Sequence, residues 1–164
     1  LIQRGVLSQE QIDELSAGAA ALMTRDSNPP EVEVVREKSG PVRSVFCMHR
    51  NIEPWRGLCR SEAIGAPIKQ IMGTDAYIFH SKLNTKESFE GTVWLWHQDY
   101  GYWQYDGVDD RLVSALIMLD ANTIHNGCVM LVAGSHRWGI LEHFHDELQA
   151  VVHPARGPAQ PPEG

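Results

Sequence analysis

Four short apolar runs in the second half of the chain constrain its fold more than any other feature. They read "AYIFHSKLN", "GTVWLWHQD", "RLVSALIMLD" and "GCVMLVAGSH", and polar segments separate them. Each run is rich in valine, isoleucine, leucine or aromatic residues, which is typical of strands. Several short strands at this spacing indicate a sandwich or barrel rather than alternating strands and helices. The sequence therefore predicts a mainly β core over residues 76–146.

The first half of the chain carries helix signals instead. Ser8 and Gln11 have the spacing of a capping box, and apolar residues follow them at helical intervals. We therefore predict a helix from about residue 9 to residue 23. The segment "SEAIGAPIKQIMG" predicts a second, shorter helix, for which Gly73 is a plausible stop.

These patterns predict one domain over residues 1–164, with a helix-and-strand flank over residues 1–75. Within that flank, residues 42–50 alternate like a strand. Several prolines fall within residues 147–164, which predicts a mobile loop there.

Composition narrows the choice of partners. The net charge is −7, and the basic residues form no cluster or stripe, so we expect neither a nucleic-acid partner nor an anionic membrane. No apolar run reaches the roughly 18 residues that a membrane span needs. The N-terminal segment lacks the pattern of a signal peptide. Three cysteines without a CxxC spacing do not indicate a disulfide framework, so we expect a protein of the reducing cytoplasm.

The stretch "WLWHQDY" places His97 and Asp99 two residues apart. On a strand, residues i and i+2 share one face, so Val93, Leu95, His97 and Asp99 would project together into the core. A carboxylate in an apolar cavity needs a partner or a cation. One imidazole and one carboxylate are two of the three ligands in the facial triad of non-haem iron(II) oxygenases. A hydrogen-bonded or salt-linked strand end explains the same spacing, so the pair alone leaves both interpretations open.

Three motifs in fixed order carry a resemblance to a known family. "HQD", then "NGC", then "GSH" is similar to the pattern of the phytanoyl-CoA dioxygenase family of iron(II)- and 2-oxoglutarate-dependent oxygenases. The chain departs from that pattern at Ala133, where the family usually has proline. "SVFCMHR" and "YIFHSKLNTKESFEGTVWLWHQDY" resemble the ectoine-hydroxylase branch. The resemblance covers most of residues 1–145.

The resemblance implies a fold and an activity. The fold would be α+β, mainly β, with a helical flank on a double-stranded β-helix (a cupin-like jelly roll). The activity would be hydroxylation of a small molecule, using Fe(II), O₂ and 2-oxoglutarate and releasing succinate and CO₂. Two alternatives stay open: another oxidation on the same scaffold (epimerisation, desaturation or cyclisation), and a non-catalytic jelly-roll binding protein with a vestigial HxD. Monomer and homodimer are equally compatible with the sequence.

The resemblance also implies roles for particular residues. His97 and Asp99 would be iron ligands, and Asn84 and His80 would lie near the 2-oxoglutarate. Because Asp99 is a carboxylate where related halogenases have alanine or glycine, it favours hydroxylation over halogenation. Three further residues are candidates for the substrate pocket, with ordinary core or surface roles as the alternative: Trp103, Tyr100 and Lys82.

The family also needs a distal histidine and, downstream of it, an arginine that binds 2-oxoglutarate. No segment of this chain matches that part of the pattern, so the resemblance implies that both residues lie beyond Gly164 and that the jelly roll is incomplete here. The alternative is that one of five other histidines is the third ligand. These are His125, His136, His143, His145 and His153. The charged surroundings of His143 and His145 predict solvent exposure.

Overall fold

The computed structural model describes residues 1–24, 30, 32–89, 91, 93–145 and 149–152. The chain divides into two compact units. The first unit comprises residues 1–92 and 115–121, and the second comprises residues 93–114 and 122–164.

The first unit begins with helix α1 (Gln9–Met23), which confirms the predicted helix and its capping box. The Ser8 hydroxyl accepts a hydrogen bond from the Gln11 N–H at 3.2 Å, and the Gln11 side chain accepts one from the Ser8 N–H at 2.9 Å. Two N–H groups that the first helical turn leaves unpaired are thereby satisfied. The helix buries Leu15, Ala19 and Leu22, which recur at the spacing of one helical face.

An antiparallel sheet forms the other side of this core. It consists of β1 (Glu33–Arg36), β2 (Val42–Phe46) and β3 (Lys82–Asn84), with β2 in the centre. The central strand is the most buried, and Val45 is fully inaccessible. The core residues are Leu15, Ala19, Leu22, Val32, Val42, Val45, Met48 and Trp55.

The predicted strand over residues 42–50 is wrong beyond Phe46. The next residue, Cys47, has a φ of 66°, and this left-handed conformation ends the extended backbone. Its N–H still bonds to the Ser81 carbonyl at 3.1 Å, so the chain turns away directly after the end of β2.

Two helices follow, α2 (Trp55–Cys59) and α3 (Glu62–Met72). Gly73 ends α3 in the left-handed conformation, with φ 68°, which confirms the predicted stop. Gly18 of α1 lies so near the start of α2 that an added Cβ would be 3.0 Å from Pro54 Cδ. In the part of the chain that the structure describes, no helix is long and apolar enough to cross a membrane.

The second unit contains an antiparallel pair of strands, β4 (His143–His145) and β5 (Ala150–Val152), and two short 3-10 helices, Asp99–Tyr102 and Ser135–Arg137. The predicted loop over residues 147–164 is therefore wrong at Ala150–Val152, where two valines continue a ladder and Ala150 and Val151 are buried. Residues 147–148 and 153–164 of that prediction lie outside the described residues.

Of the four apolar runs predicted as strands, only Lys82–Asn84 forms one among the described residues. Alternation shows that a segment could pair, but a strand exists only where another segment exchanges ladder hydrogen bonds with it. The predicted inward face of residues 93–99 is also wrong, because Val93 and Leu95 are 68% and 44% exposed. The described residues form helices and two small sheets, which agrees with the predicted α+β class.

The three cysteines are free and half-buried, as the absence of a disulfide pattern predicts. Burial raises the pKa of the Cys59 thiol, which disfavours the reactive thiolate form.

Replacing Ser8 with alanine tests the helix cap. The variant should lose about 1 kcal/mol of unfolding free energy, since an N-cap hydroxyl is removed. Urea denaturation followed by circular dichroism measures the change. Ser16→Ala, in the middle of the same helix, is the matched control and should be neutral or slightly stabilising. Equal losses in the two variants would show that the cap contributes nothing.

Candidate metal centre

The imidazole of His97 is held in one orientation. Its Nδ1 lies 2.6 Å from the Leu95 carbonyl oxygen. A carbonyl can only accept, so Nδ1 carries a proton, and Nε2 is the ring nitrogen that remains for a metal ion. The Tyr102 ring contacts the imidazole edge-on, with centroids 5.5 Å apart and an interplanar angle of 85°. This tautomer is the one that binds a metal through Nε2.

Asp99 stands at the start of the 3-10 helix that follows. Its Oδ1 is 3.5 Å from His97 Nε2. Its Oδ2 accepts a hydrogen bond from the Ser114 hydroxyl. One carboxylate oxygen is thus held by a serine while the other faces the imidazole.

This pair fits a divalent metal ion. Two donors held about 2.1 Å from one cation, with bonds at right angles, lie about 3 Å apart. The observed 3.5 Å is close enough for a small side-chain rotation to bring both atoms onto one ion. An imidazole nitrogen and a carboxylate oxygen are also the donor types of non-haem iron(II) sites. Over the described ranges, no group of three His, Cys, Asp or Glu side chains is placed to hold a metal.

The extended segment before His97 is held mainly by side chains, which bond to its backbone as a neighbouring strand would. Gln149 is buried, donates to the Val93 carbonyl at 3.4 Å and accepts from the Leu95 N–H at 3.0 Å. From β5, the Val152 N–H donates to the Trp96 carbonyl at 2.9 Å. An extended segment can therefore stay ordered without a ladder of its own.

Gln98, between the two candidate ligands, is held in the same way. Its backbone N–H donates to His143 Nε2 at 2.9 Å. Its side-chain amide donates to the Gly139 carbonyl at 2.8 Å and accepts from the Leu141 N–H at 2.8 Å. The predicted exposure of His143 is wrong: the residue is only 7% exposed, at the start of β4. Its Nδ1 donates to the Leu141 carbonyl at 2.8 Å, so both ring nitrogens are engaged and neither is free to bind a metal in this arrangement.

The residues predicted near the 2-oxoglutarate belong to the first unit. Asn84 Oδ1 accepts from the Ser44 hydroxyl at 3.0 Å. The His80 ring lies 5.1 Å from the Phe46 ring, and Lys82 Nζ lies 5.3 Å above the same ring. Lys82 and Asn84 therefore share one face of β3, with His80 beside them. Their roles at a cosubstrate or substrate stay predictions.

Two candidate pocket residues lie near the pair, in the second unit. The Tyr100 hydroxyl donates to the Val108 carbonyl at 2.9 Å. Trp103 lies 6.3 Å from Tyr102, the residue that contacts His97. Trp103 is thus one ring away from the imidazole, and its predicted place in a substrate pocket stays a prediction.

The remaining candidates for a third ligand are dispersed. His125 and His136 are exposed, and His136 lies in the 3-10 helix Ser135–Arg137. The side chain of His145 and all of His153 lie outside the described residues.

The sequence analysis misses the supporting roles of three residues: Ser114, Gln98 and His143. Ser114 reaches Asp99 from fifteen positions away, and His143 reaches Gln98 from forty-five. No periodicity connects positions so far apart. The only local signal was Gln98 itself, a polar amide enclosed by the two candidate ligands.

A scan against known families identifies the class. Residues 1–160 match the family described as Phytanoyl-CoA dioxygenase (PhyH). The chain belongs to this family, which confirms the resemblance drawn from the ordered motifs.

Individual relatives point to the predicted branch. The chain is 37% identical over 142 residues to an ectoine dioxygenase of Streptomyces anulatus, covering 81% of this chain and 48% of the relative. It is 35% identical over 139 residues to an ectoine dioxygenase of Nocardia farcinica, covering 83% and 47%. It is 35% identical over 116 residues to an L-proline trans-4-hydroxylase of Streptomyces griseoviridis, covering 69% and 42%. The chain spans about half the length of the curated relatives it matches.

Removing the Ser114 hydroxyl tests the support of Asp99. Ser114→Ala should weaken binding of Co²⁺, used as a spectroscopic probe, by about 10-fold, because an unsupported carboxylate ligand loses its orientation. Absorption titration with Co²⁺ measures the affinity. Ser39→Ala, an exposed serine of the first unit, is the control and should bind as the wild type does. Unchanged affinity in Ser114→Ala would show that the hydroxyl does not orient the ligand.

Arg111 and Asp109 form a two-pronged ion pair on the loop that follows the 3-10 helix Asp99–Tyr102. The guanidinium of Arg111 bonds to both carboxylate oxygens of Asp109, at 3.0 and 2.8 Å, and its N–H adds a third bond at 2.9 Å. The Arg111 side chain, with help from its backbone N–H, lowers the pKa of Asp109 from 3.8 to about 2. The stabilisation is complete above the ordinary pKa and is lost as the pH falls through about 2.

Arg111→Gln should therefore return the pKa of Asp109 toward 3.8, because the charged fork is gone. Carboxyl-carbon NMR titration reads this residue directly. Arg56→Gln removes the ion pair with Glu53 in the first unit and should leave the Asp109 titration unchanged. An Asp109 midpoint that does not move in Arg111→Gln would rule out the fork as the cause.

Proposed function

We propose that this chain carries the metal-binding part of an iron(II)- and 2-oxoglutarate-dependent dioxygenase that hydroxylates a small molecule. The observation that carries the proposal is the pair of donors. His97 Nε2 and Asp99 Oδ1 face each other at 3.5 Å, with the imidazole fixed in its metal-binding tautomer. Membership of the phytanoyl-CoA dioxygenase family supports the same chemistry.

The two side chains have separate tasks in this proposal. His97 would bind the ion through Nε2, because the Leu95 carbonyl engages Nδ1 and orients the ring. Asp99 supplies the negative charge that a divalent cation prefers, and Ser114 keeps the carboxylate turned toward the imidazole. The distal histidine and the arginine that the family pattern requires stay predictions.

Iron(II), when bound, supplies the activation of O₂ that is coupled to decarboxylation of 2-oxoglutarate. In the overall reaction one oxygen atom enters a substrate C–H bond as a hydroxyl. The other enters succinate, and CO₂ is released. The protein binds and orients the reactants and limits access of water to them.

The names of the relatives suggest a substrate class. Two of them are ectoine dioxygenases and one is an L-proline hydroxylase, so we propose a small amino-acid-like substrate. Asn84 and His80 keep their predicted role at the 2-oxoglutarate. Three residues keep their predicted role at the substrate: Lys82, Tyr100 and Trp103.

Succinate formation tests the proposal. Full-length protein, supplied with Fe²⁺, O₂ and 2-oxoglutarate, should form succinate with ectoine or L-proline, and the product should gain one oxygen atom. Asp99→Ala should reduce this rate by more than about 100-fold. Loss of a residue that only hydrogen-bonds to a metal ligand already lowers activity by about 10- to 100-fold, and loss of the ligand itself should lower it further. Mass spectrometry of the product and a coupled succinate assay measure both quantities.

Asp106→Ala is the matched control, since it removes an exposed carboxylate from the same unit and should leave the rate unchanged. Absence of iron binding in the wild type would refute the proposal. A product that loses hydrogen or only changes configuration would indicate the alternative oxidations. Metal or substrate binding without any turnover would indicate the non-catalytic binding protein.

A further inference from the structure

Gln98 is bonded through all four of its polar groups. Its N–H donates to His143, and its side-chain amide bonds to Gly139 and Leu141. Its carbonyl accepts from the Gly101 N–H at 2.9 Å. The residue between the two candidate ligands therefore has little freedom to rotate or shift.

The ring of His143 is itself wedged in place. A Cβ added at Gly101 would lie 2.5 Å from His143 Cδ2 and 2.6 Å from Cγ and Nε2. The φ of Gly101 is outside the left-handed region, so lack of space, and not backbone conformation, excludes a larger residue. The imidazole thus packs directly on the backbone of the 3-10 helix that begins with Asp99.

We propose that His143 is a positioning residue for the metal pair. Its ring touches the chain on both sides of Asp99, at Gln98 and at Gly101. By fixing this backbone it sets the separation of His97 Nε2 and Asp99 Oδ1 without binding the metal. The effect of His143 on metal binding rests on the proposed function, whereas its anchoring of the Gln98 backbone does not.

Two substitutions separate the hydrogen bond from the packing. His143→Phe keeps a flat ring but removes the acceptor for the Gln98 N–H. His143→Gln removes the ring but keeps an oxygen that can accept at a similar reach. A positioning role predicts that the phenylalanine variant weakens Co²⁺ binding by about 10- to 100-fold, and that the glutamine variant regains most of the affinity. A purely structural role predicts lower thermal midpoints with equal affinity in both.

A second readout needs no metal. Amide hydrogen exchange of Gln98 should become faster in His143→Phe and stay near the wild-type rate in His143→Gln. Exchange at Asp106 and Arg137, whose amides donate to Trp103 and Gly134 elsewhere in this unit, reports its general loosening. A selective change at Gln98 supports the anchoring, whereas equal acceleration at all three amides opposes it.

Gly101 provides an independent test. Gly101→Ala should displace the His143 ring and weaken Co²⁺ binding, while Gly65→Ala, which adds a methyl group in open space on α3, should not. Combining Gly101→Ala with His143→Ala should cost no more than the worse single change, because both remove the same contact. Additive losses would show that the two residues act separately.

The outcomes distinguish this inference from the proposed function. If the wild type shows no Co²⁺ binding that depends on His97 and Asp99, the proposed function fails, and Gln98 exchange alone decides the anchoring. If the wild type binds Co²⁺ and His143→Phe binds it equally well, the positioning role is overturned while the proposed function stands.

Discussion

The hydrogen bond from the Gln98 N–H to the buried ring of His143 is the contact on which the candidate metal pair depends. It requires a neutral imidazole with its proton on Nδ1, and the Leu141 carbonyl enforces that state from the other side. His97 uses the same device, with the Leu95 carbonyl in the role of Leu141. Two backbone carbonyls, each two residues before the histidine it orients, thus hold a proton on Nδ1 and turn Nε2 to the other side. Nε2 of His143 accepts from the Gln98 N–H, and Nε2 of His97 faces Asp99.

The second unit shows how an extended segment can be ordered without a strand beside it. Buried backbone groups must be paired, and a ladder is the usual way to pair them. Here Gln149 and His143 take over that function at Leu95 and Gln98, and the Val152 N–H of β5 bonds to Trp96. Such pairing is specific, since each bond needs one side chain of the right length. It is also local, and it leaves Val93 and Leu95 exposed.

The sequence predicts well where the signal is local and poorly where it is not. The capping box at Ser8 and the stop at Gly73 each arise within a few residues, and the structure has both. The HxD spacing and the ordered motifs identified the family for the same reason. The ladder partners of the apolar runs, and the burial of His143 among charged neighbours, depend on residues far away in the chain. Periodicity carries no information about them, so it predicts more strands than the described residues form, and the charged neighbours of His143 wrongly predict that it is exposed.

Because Gln98 is anchored by a distant segment, the residues that form the motif are not the residues that fix its geometry. The donors are found in seven consecutive residues, but the bonds that orient their backbone come from residues 139–143. Grafting "WLWHQDY" onto another scaffold would transfer the ligands without their spacing. Conversely, exchanging residues 139–143 between relatives offers a way to tune metal affinity while every ligand stays the same. A transplanted site would therefore need both segments, residues 94–100 for the ligands and residues 139–143 for their spacing.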